Sequence, residues 1–158
     1  MTDNVSKDIR SKTMRAIRSK DTTLELSVAR SLHNRGIRFR KNAATLPGKP
    51  DISIKKYKVA IFIDSCFWHG CPRHCRLPKT NVDYWKQKIK RNKERDEEVS
   101  RYYAINEWLI IRIWEHQLKD AYDETISTIV CLINNAKRNK IVSCKRSNDA
   151  VATKQKED

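Results

Sequence analysis

Ten consecutive residues, Cys66 to Cys75 (CFWHGCPRHC), hold three cysteines, two histidines and two adjacent aromatic side chains. Thiolate and imidazole are what zinc takes in structural sites, four ligands in a tetrahedron, and short spacings let one loop supply most of them. Cys66, Cys71 and His74 make such a set. A fourth ligand, His116, lies just past the run WLIIRIW, where a neighbouring strand would bring it to the sheet edge that carries Cys66. Cys75 is the alternative to His74, because neighbours in sequence seldom both reach one ion. A fully occupied set leaves no open position, so this zinc would staple a loop and not run the chemistry. The competing reading, core cysteines beside a surface histidine, fits poorly with three thiols in ten residues. Five cysteines, an odd number, also suit a closed disulfide framework badly. Of the two outside the loop, Cys131 falls in an apolar helical pattern and reads as core packing, and Cys144, in a polar stretch, as a solvent-facing thiol.

A second kind of chemistry needs oxygen. Asp51 follows Pro50 directly and opens a strand, and Asp64 ends the next strand thirteen residues later. A hairpin can bring two such carboxylates together, as nucleases of the PD-(D/E)xK type do. A hard divalent cation held there polarises a phosphate and lowers the pKa of a water. The lysine expected two residues after the second acid is absent, since the chain reads Asp64, Ser65, Cys66. His69 is a candidate general base in its place, because imidazole titrates near working pH. Each residue has a plainer alternative: Asp51 as a turn-capping carboxylate after proline, His69 as a zinc ligand or an exposed loop residue.

The elements that must position these groups are readable in outline. In DTTLELSVARSLHNRG, Thr22 and Glu25 have capping-box spacing, Leu24, Val28 and Leu32 recur every four residues, and Gly36 supplies a stop. IRFRKN alternates as an exposed strand would. LPGKP then breaks the chain before the strands DISI and KVAIFID, joined tightly at KKYK. A charged helix over roughly 82 to 105, the β-rich run 108 to 114, and a last helix near 121 to 136 complete a mixed α/β sheet flanked by helices. Residues 1–20 carry six basic side chains without periodicity and read as a DNA-contacting arm. Residues 21–136 form the domain, and 137–158 read as a polar, disordered tail.

A chain of 158 residues suits one domain. Lys and Arg number 34 against 19 Asp and Glu, a formal charge of +15, which points to an anionic partner and first of all to nucleic acid. The polar first twenty residues and a longest apolar run of only VAIFI predict neither signal peptide nor membrane span. A soluble, intracellular protein is expected, cytoplasmic and nucleoid-associated in a bacterial-type cell. Lys86, Lys88, Lys90 and Arg91 are candidates for phosphate contacts. The acidic half of KQKIKRNKERDEE reads as a solvated helix face with internal ion pairs. Trp108 and Trp114, flanking a strand, read as core.

RSKTMRAIRSKDT, LPGKPDI, CFWHGCPRHCRLPKTNVDYW, RNKERD and W…RIWEH occur in one order along residues 10 to 120, and they resemble the very short patch repair (Vsr) DNA mismatch endonucleases. The resemblance implies a restriction-endonuclease-like fold and a Mg²⁺-dependent nick on the 5′ side of the thymine in a T:G mismatch, the lesion left when 5-methylcytosine deaminates. It also implies residue roles. Asp51 matches the metal-binding acid and His69 the general base. Glu25 matches a supporting acid on the first helix, and Ile63 binds the metal through its backbone carbonyl. Asp64 is either a metal ligand or a partner of the attacking water. Phe67, Trp68 and Trp85 match aromatics wedged between bases beside the mismatch, where a distorted pair makes unstacking cheaper. Ser65 departs from the glycine expected before CFW, which bears on the backbone of that turn. The implied partners are mismatched duplex DNA, MutL/MutS-type repair proteins and a companion cytosine-5 methyltransferase. The chain is expected to act as a monomer, since a nick needs one active site. Two other readings share the residues: a site-specific nuclease on undamaged DNA, and a non-catalytic zinc-stapled DNA-binding module.

Overall fold

The computed structural model describes residues 22–154, with side chains through residue 140. The basic arm of residues 1–20 and the thiol of Cys144 therefore lie outside the described parts. Helix α1 (Thr23–Asn34) begins where the capping box predicts: the Thr22 hydroxyl accepts from the Glu25 N–H at 3.3 Å and donates to Glu25 Oε1 at 2.9 Å. Four strands follow in the order β1 (Arg40–Lys41), β2 (Ile52–Ile54), β3 (Val59–Asp64) and β4 (Leu109–Trp114). β1, β2 and β3 are antiparallel neighbours, and a one-turn 3₁₀ helix at Lys55–Tyr57 makes the tight β2–β3 connection. β3 and β4 run parallel, which requires a long crossover, and α2 (Val82–Ile105) supplies it. A short helix α3 (Glu115–Asp120), which the sequence pattern does not announce, precedes α4 (Tyr122–Lys154).

The sheet buries both faces, and the alternation of β3 sorts its residues between them. Val59 and Ile61 join Val28 and Leu32 of α1 and Ile126, Ile129 and Ile133 of α4 in the larger core, together with Ile111 and Ile113 of β4. Ala60 and Phe62 face the other way, packed with Val99 and Tyr103 of α2 and with Trp108 and Ile110. By the same period of two, Asp64 and Arg112 belong to the α2 face. This is the mixed α/β sheet flanked by helices that the pattern predicts.

Four expectations change. IRFRKN contributes only Arg40–Lys41 to the sheet, and Ile37 turns into the core at 2% exposure. Cys131 is exposed, because the buried stripe of α4 is Ile126, Ile129 and Ile133, and a residue two past Ile129 faces the opposite side of a helix. Trp114 is half-buried and stacks on the His116 ring at 6.4 Å, outside both cores. α4 runs to Lys154 through much of the stretch expected to be disordered, over a sequence with no proline or glycine to stop it. No helix among the described residues is long and apolar enough to cross a membrane.

Candidate active site and metal cluster

The loop after β3 is wound by its own backbone. His69 N–H donates to the Ser65 carbonyl at 3.1 Å, Cys71 N–H to Cys66 at 2.9 Å, and Cys75 N–H to Cys71 at 3.0 Å. Gly70 sits at φ 63°, and a Cβ there would come within 2.7 Å of Ile89 Cγ2 and 2.4 Å of Lys93 Cε, so only glycine lets this loop lie against α2. Ser65 is not among the left-handed positions of the described chain, so the departure from glycine there imposes no strain.

This winding gathers the thiols and imidazoles. The ligand atoms of Cys66, Cys71, His74 and His116 all lie within 4.8 Å of one another, with Cys66 Sγ 3.2 Å and Cys71 Sγ 3.7 Å from His116 Nδ1. His116 arrives at the start of α3, immediately after β4, because the parallel pairing of Asp64 with Trp114 sets the two strand ends side by side. His74, not Cys75, joins the group. The Cys75 thiol faces the Phe67 carbonyl at 3.7 Å. Burial pushes the Cys71 thiol up, but the Arg73 N–H together with the ring and N–H of His74 outweighs it and brings the thiol down to about 7. Burial holds the Cys66 thiol above its ordinary value. Two sulfurs and two nitrogens so close together make a set that could hold a metal ion. Glu115 braces it from behind, accepting from the Cys66 N–H and the Ser65 hydroxyl at 3.4 Å each and from Lys119 at 2.6 Å.

On the other side of the loop, a cleft of about 860 Å³ is lined by Glu25, Asp51, Asp64, His69, Asp96 and Arg112, among others. Asp51, at the head of β2, accepts the Ile63 N–H of β3 at 2.7 Å. Burial pushes the Asp51 carboxyl up to about 6, the charges of Glu25 and Asp64 add to the push, and the Ile63 N–H and His69 oppose it. A carboxylate crowded by two others in a half-buried cleft is where a cation relieves repulsion, which suits Asp51 to a hard divalent metal.

His69 leans its Nδ1 onto Asp96 Oδ2 at 2.5 Å, with Asp64 Oδ1 at 3.7 Å. Burial alone would raise Asp96, but the bond and charge of His69, with the Arg112 charge, hold it below the usual carboxylate range. Arg112 forks onto Asp64, Nε to Oδ2 at 2.7 Å and Nη2 to Oδ1 at 2.8 Å, and reaches Asp96 Oδ1 at 3.0 Å. Asp96 and Arg112 are the residues that sequence reasoning missed. Both carried a signal: Asp96 falls on the inward stripe Asn92, Asp96, Val99, Tyr103 of α2, and Arg112 interrupts the apolar LIIRIW.

Beside the cleft, Phe67, Trp68 and Trp85 form a triangle with ring centroids 5.1 to 5.7 Å apart, all three half-buried, and the exposed Tyr84 extends it at 5.2 Å from Trp85. Lys86, Lys90 and Arg91 are exposed on α2, Lys90 pairing with Glu94 at 3.9 Å.

Residues 2–77 match the model of the family described as DNA mismatch endonuclease Vsr. The type II nicking enzyme V.NaeI of Lentzea aerocolonigenes is 41% identical over 126 residues, covering 76% of this chain and 76% of its own length. V.HpaIIP of Haemophilus parainfluenzae, also a type II nicking enzyme, is 43% identical over 115 residues, 71% of this chain and 82% of its own. DNA mismatch endonuclease Vsr of Escherichia coli K12 is 39% identical over 123 residues, 75% of this chain and 77% of its own.

Proposed function

The chain belongs to the DNA mismatch endonuclease Vsr family, and from that premise we propose that it hydrolyses one strand of duplex DNA on the 5′ side of the thymine in a T:G mismatch. The observation that carries this reading is the single cleft in which Asp51, His69 and Glu25 converge beside an aromatic triangle. Asp51 and the carbonyl of Ile63 would hold Mg²⁺, which supplies Lewis-acid polarisation of the scissile phosphate. His69, held through Nδ1 by Asp96, has Nε2 left to serve as the general base for the attacking water. Glu25, fixed by Thr22 at the start of α1, adds a further carboxylate to the cleft that Asp51 lines. Phe67, Trp68 and Trp85 supply the flat apolar surface that would enter the stack beside the mismatch. Zinc at Cys66, Cys71, His74 and His116 is the structural ion, and the whole follows the PD-(D/E)xK plan with histidine for lysine. The basic arm of residues 1–20, MutL/MutS-type proteins and a cytosine-5 methyltransferase complete the proposed setting.

Relatives named as type II nicking enzymes support single-strand cleavage, and the second reading is that such a nick falls at a fixed sequence in undamaged DNA. One experiment separates the two: strand-resolved nicking with Mg²⁺ on duplexes that differ only in T:G versus T:A, with Asp51→Ala as control. A single Mg²⁺-dependent cut beside the mismatched thymine, lost in Asp51→Ala, is the expected result. Equal cutting of both duplexes would replace mismatch repair by site-specific nicking, and binding of T:G without any cut would leave a DNA-binding module.

A further inference from the structure

His69 Nδ1 faces two carboxylates, hydrogen-bonded to Asp96 Oδ2 at 2.5 Å and at ion-pair distance, 3.7 Å, from Asp64 Oδ1. The two acids come from different elements, the end of β3 and the middle of α2, and what sets them apart beyond distance is how Arg112 engages each. It stands on β4 opposite Phe62, its guanidinium 5.0 Å from the centre of that ring and anchored there on the α2 face of the sheet. From that seat it occupies both oxygens of Asp64 and one oxygen of Asp96, while its Nη1 also lies 3.5 Å from the Asp96 carbonyl. One acceptor atom remains uncommitted to the guanidinium, Asp96 Oδ2, and that is the atom on His69.

We propose that Arg112 is a positioning residue of the nicking reaction. By taking Asp64 completely and Asp96 by half, it leaves a single carboxylate oxygen to hold His69 Nδ1 and so fixes which imidazole nitrogen faces the cleft. Asp64 then serves as the buried counter-charge that seats Arg112, at 4% exposure, and not as a ligand of the metal. The planar fork matters as well as the charge, because only guanidinium can span two carboxylates in fixed geometry. This inference rests on His69 as the general base.

The test compares the wild-type chain with Arg112→Gln, Arg112→Lys and Asp64→Asn/Arg112→Gln, reading single-turnover nicking of T:G duplex, duplex Kd, and the ¹⁵N signals of the His69 ring. In Arg112→Gln the rate constant should fall about 100-fold, the scale of a misplaced catalytic group, with Kd unchanged within about twofold. The ring signals should change from one tautomer to a mixture. Arg112→Lys keeps a charge but no fork and should lose about tenfold, and the double variant, freed of the orphaned Asp64 charge, should recover about tenfold over Arg112→Gln. A Kd that rises in step with the rate loss would make Arg112 a phosphate contact and overturn the proposal. So would an unchanged tautomer signal, or a double variant no faster than the single. If the wild-type chain nicks no duplex, the function reading has failed, while the ring signals still decide whether Arg112 holds His69.

Discussion

Asp51 is ionised at the expense of the fold. Its carboxyl sits at about 6 through burial and the charges of Glu25 and Asp64, above the ordinary carboxylate value. Folding disfavours the ionised form of this acid, so the penalty is absent only well below pH 3.8, grows as the pH rises from there toward 6 and is complete above it. In the absence of added Mg²⁺, Asp51→Asn should therefore stabilise the protein at pH 7 by roughly 2 to 3 kcal/mol, the worth of a two-unit shift, and by little at pH 4. Thermal melts at the two pH values measure it, and equal effects at both would remove the burial argument. The Asn side chain still accepts from Ile63 N–H, so the hairpin is kept. His116→Ala is the matching test of the cluster: bound zinc should fall from one per chain, and an unchanged content would move the fourth ligand elsewhere. Asp51, His69, Cys66, Cys71 and His74 could be nominated from short motifs, and His116 from its place just past the β-rich run; the structure brings the four thiol and imidazole groups within 4.8 Å of one another. Asp96 and Arg112 carried only a pattern signal, because their meaning depends on which face of α2 and β4 meets the cleft, a fact of packing between segments far apart in the chain.

At the scale of elements, the loop from Ser65 to Cys75 contributes to two places at once, supplying Cys66, Cys71 and His74 to the thiol–imidazole cluster and His69 to the cleft. Gly70 is its pivot. Gly70→Ala brings a Cβ into Ile89 at φ 63° and should lower both zinc content and nicking, whereas Gly36→Ala, with φ 74° but open space, should affect neither beyond a modest loss of stability. Measuring both variants for zinc and activity checks the assignment, and a Gly70→Ala protein with full zinc and full activity would refute it. The aromatic triangle projects from this loop and from α2, so replacing Phe67 and Trp68 together by Ala should reduce preference for T:G over T:A more than it weakens binding to plain duplex. Equal losses on both would remove the wedge. The long elements were readable, α2 most directly, since its periodicity spans many turns. IRFRKN alternates as an extended segment does, Ile37 buried and Phe39 packed on the core with Arg38 and Arg40 exposed, but only Arg40–Lys41 pairs with β2; polar composition does not itself break a helix, and α4 runs on to Lys154.

The whole molecule carries a formal charge of +15, and the exposed Lys86, Lys90 and Arg91 of α2 place part of it on the helix that bears Trp85. Phosphate contacts release counterions, so binding to duplex should weaken by about a thousandfold or more between 50 and 200 mM salt if six phosphates are engaged. Replacing those three residues by Ala should flatten that dependence, by about one in slope for each true contact, and lower affinity for T:G and T:A duplexes alike. A change confined to T:G would make them readers of the mismatch. The parallel β3–β4 pair has a further consequence, for the order in which the chain assembles. Its partners, Asp64 and Trp114, are fifty residues apart along the chain, and Cys66 and His116 repeat that span two residues later. A long loop must close before such strands can reward one another, which makes their pairing a slow step of folding. Four donors that capture one ion across the same gap would close that loop ahead of the strands, so refolding from denaturant should be faster with zinc present from the start than with zinc added after the chain has folded around an empty cluster.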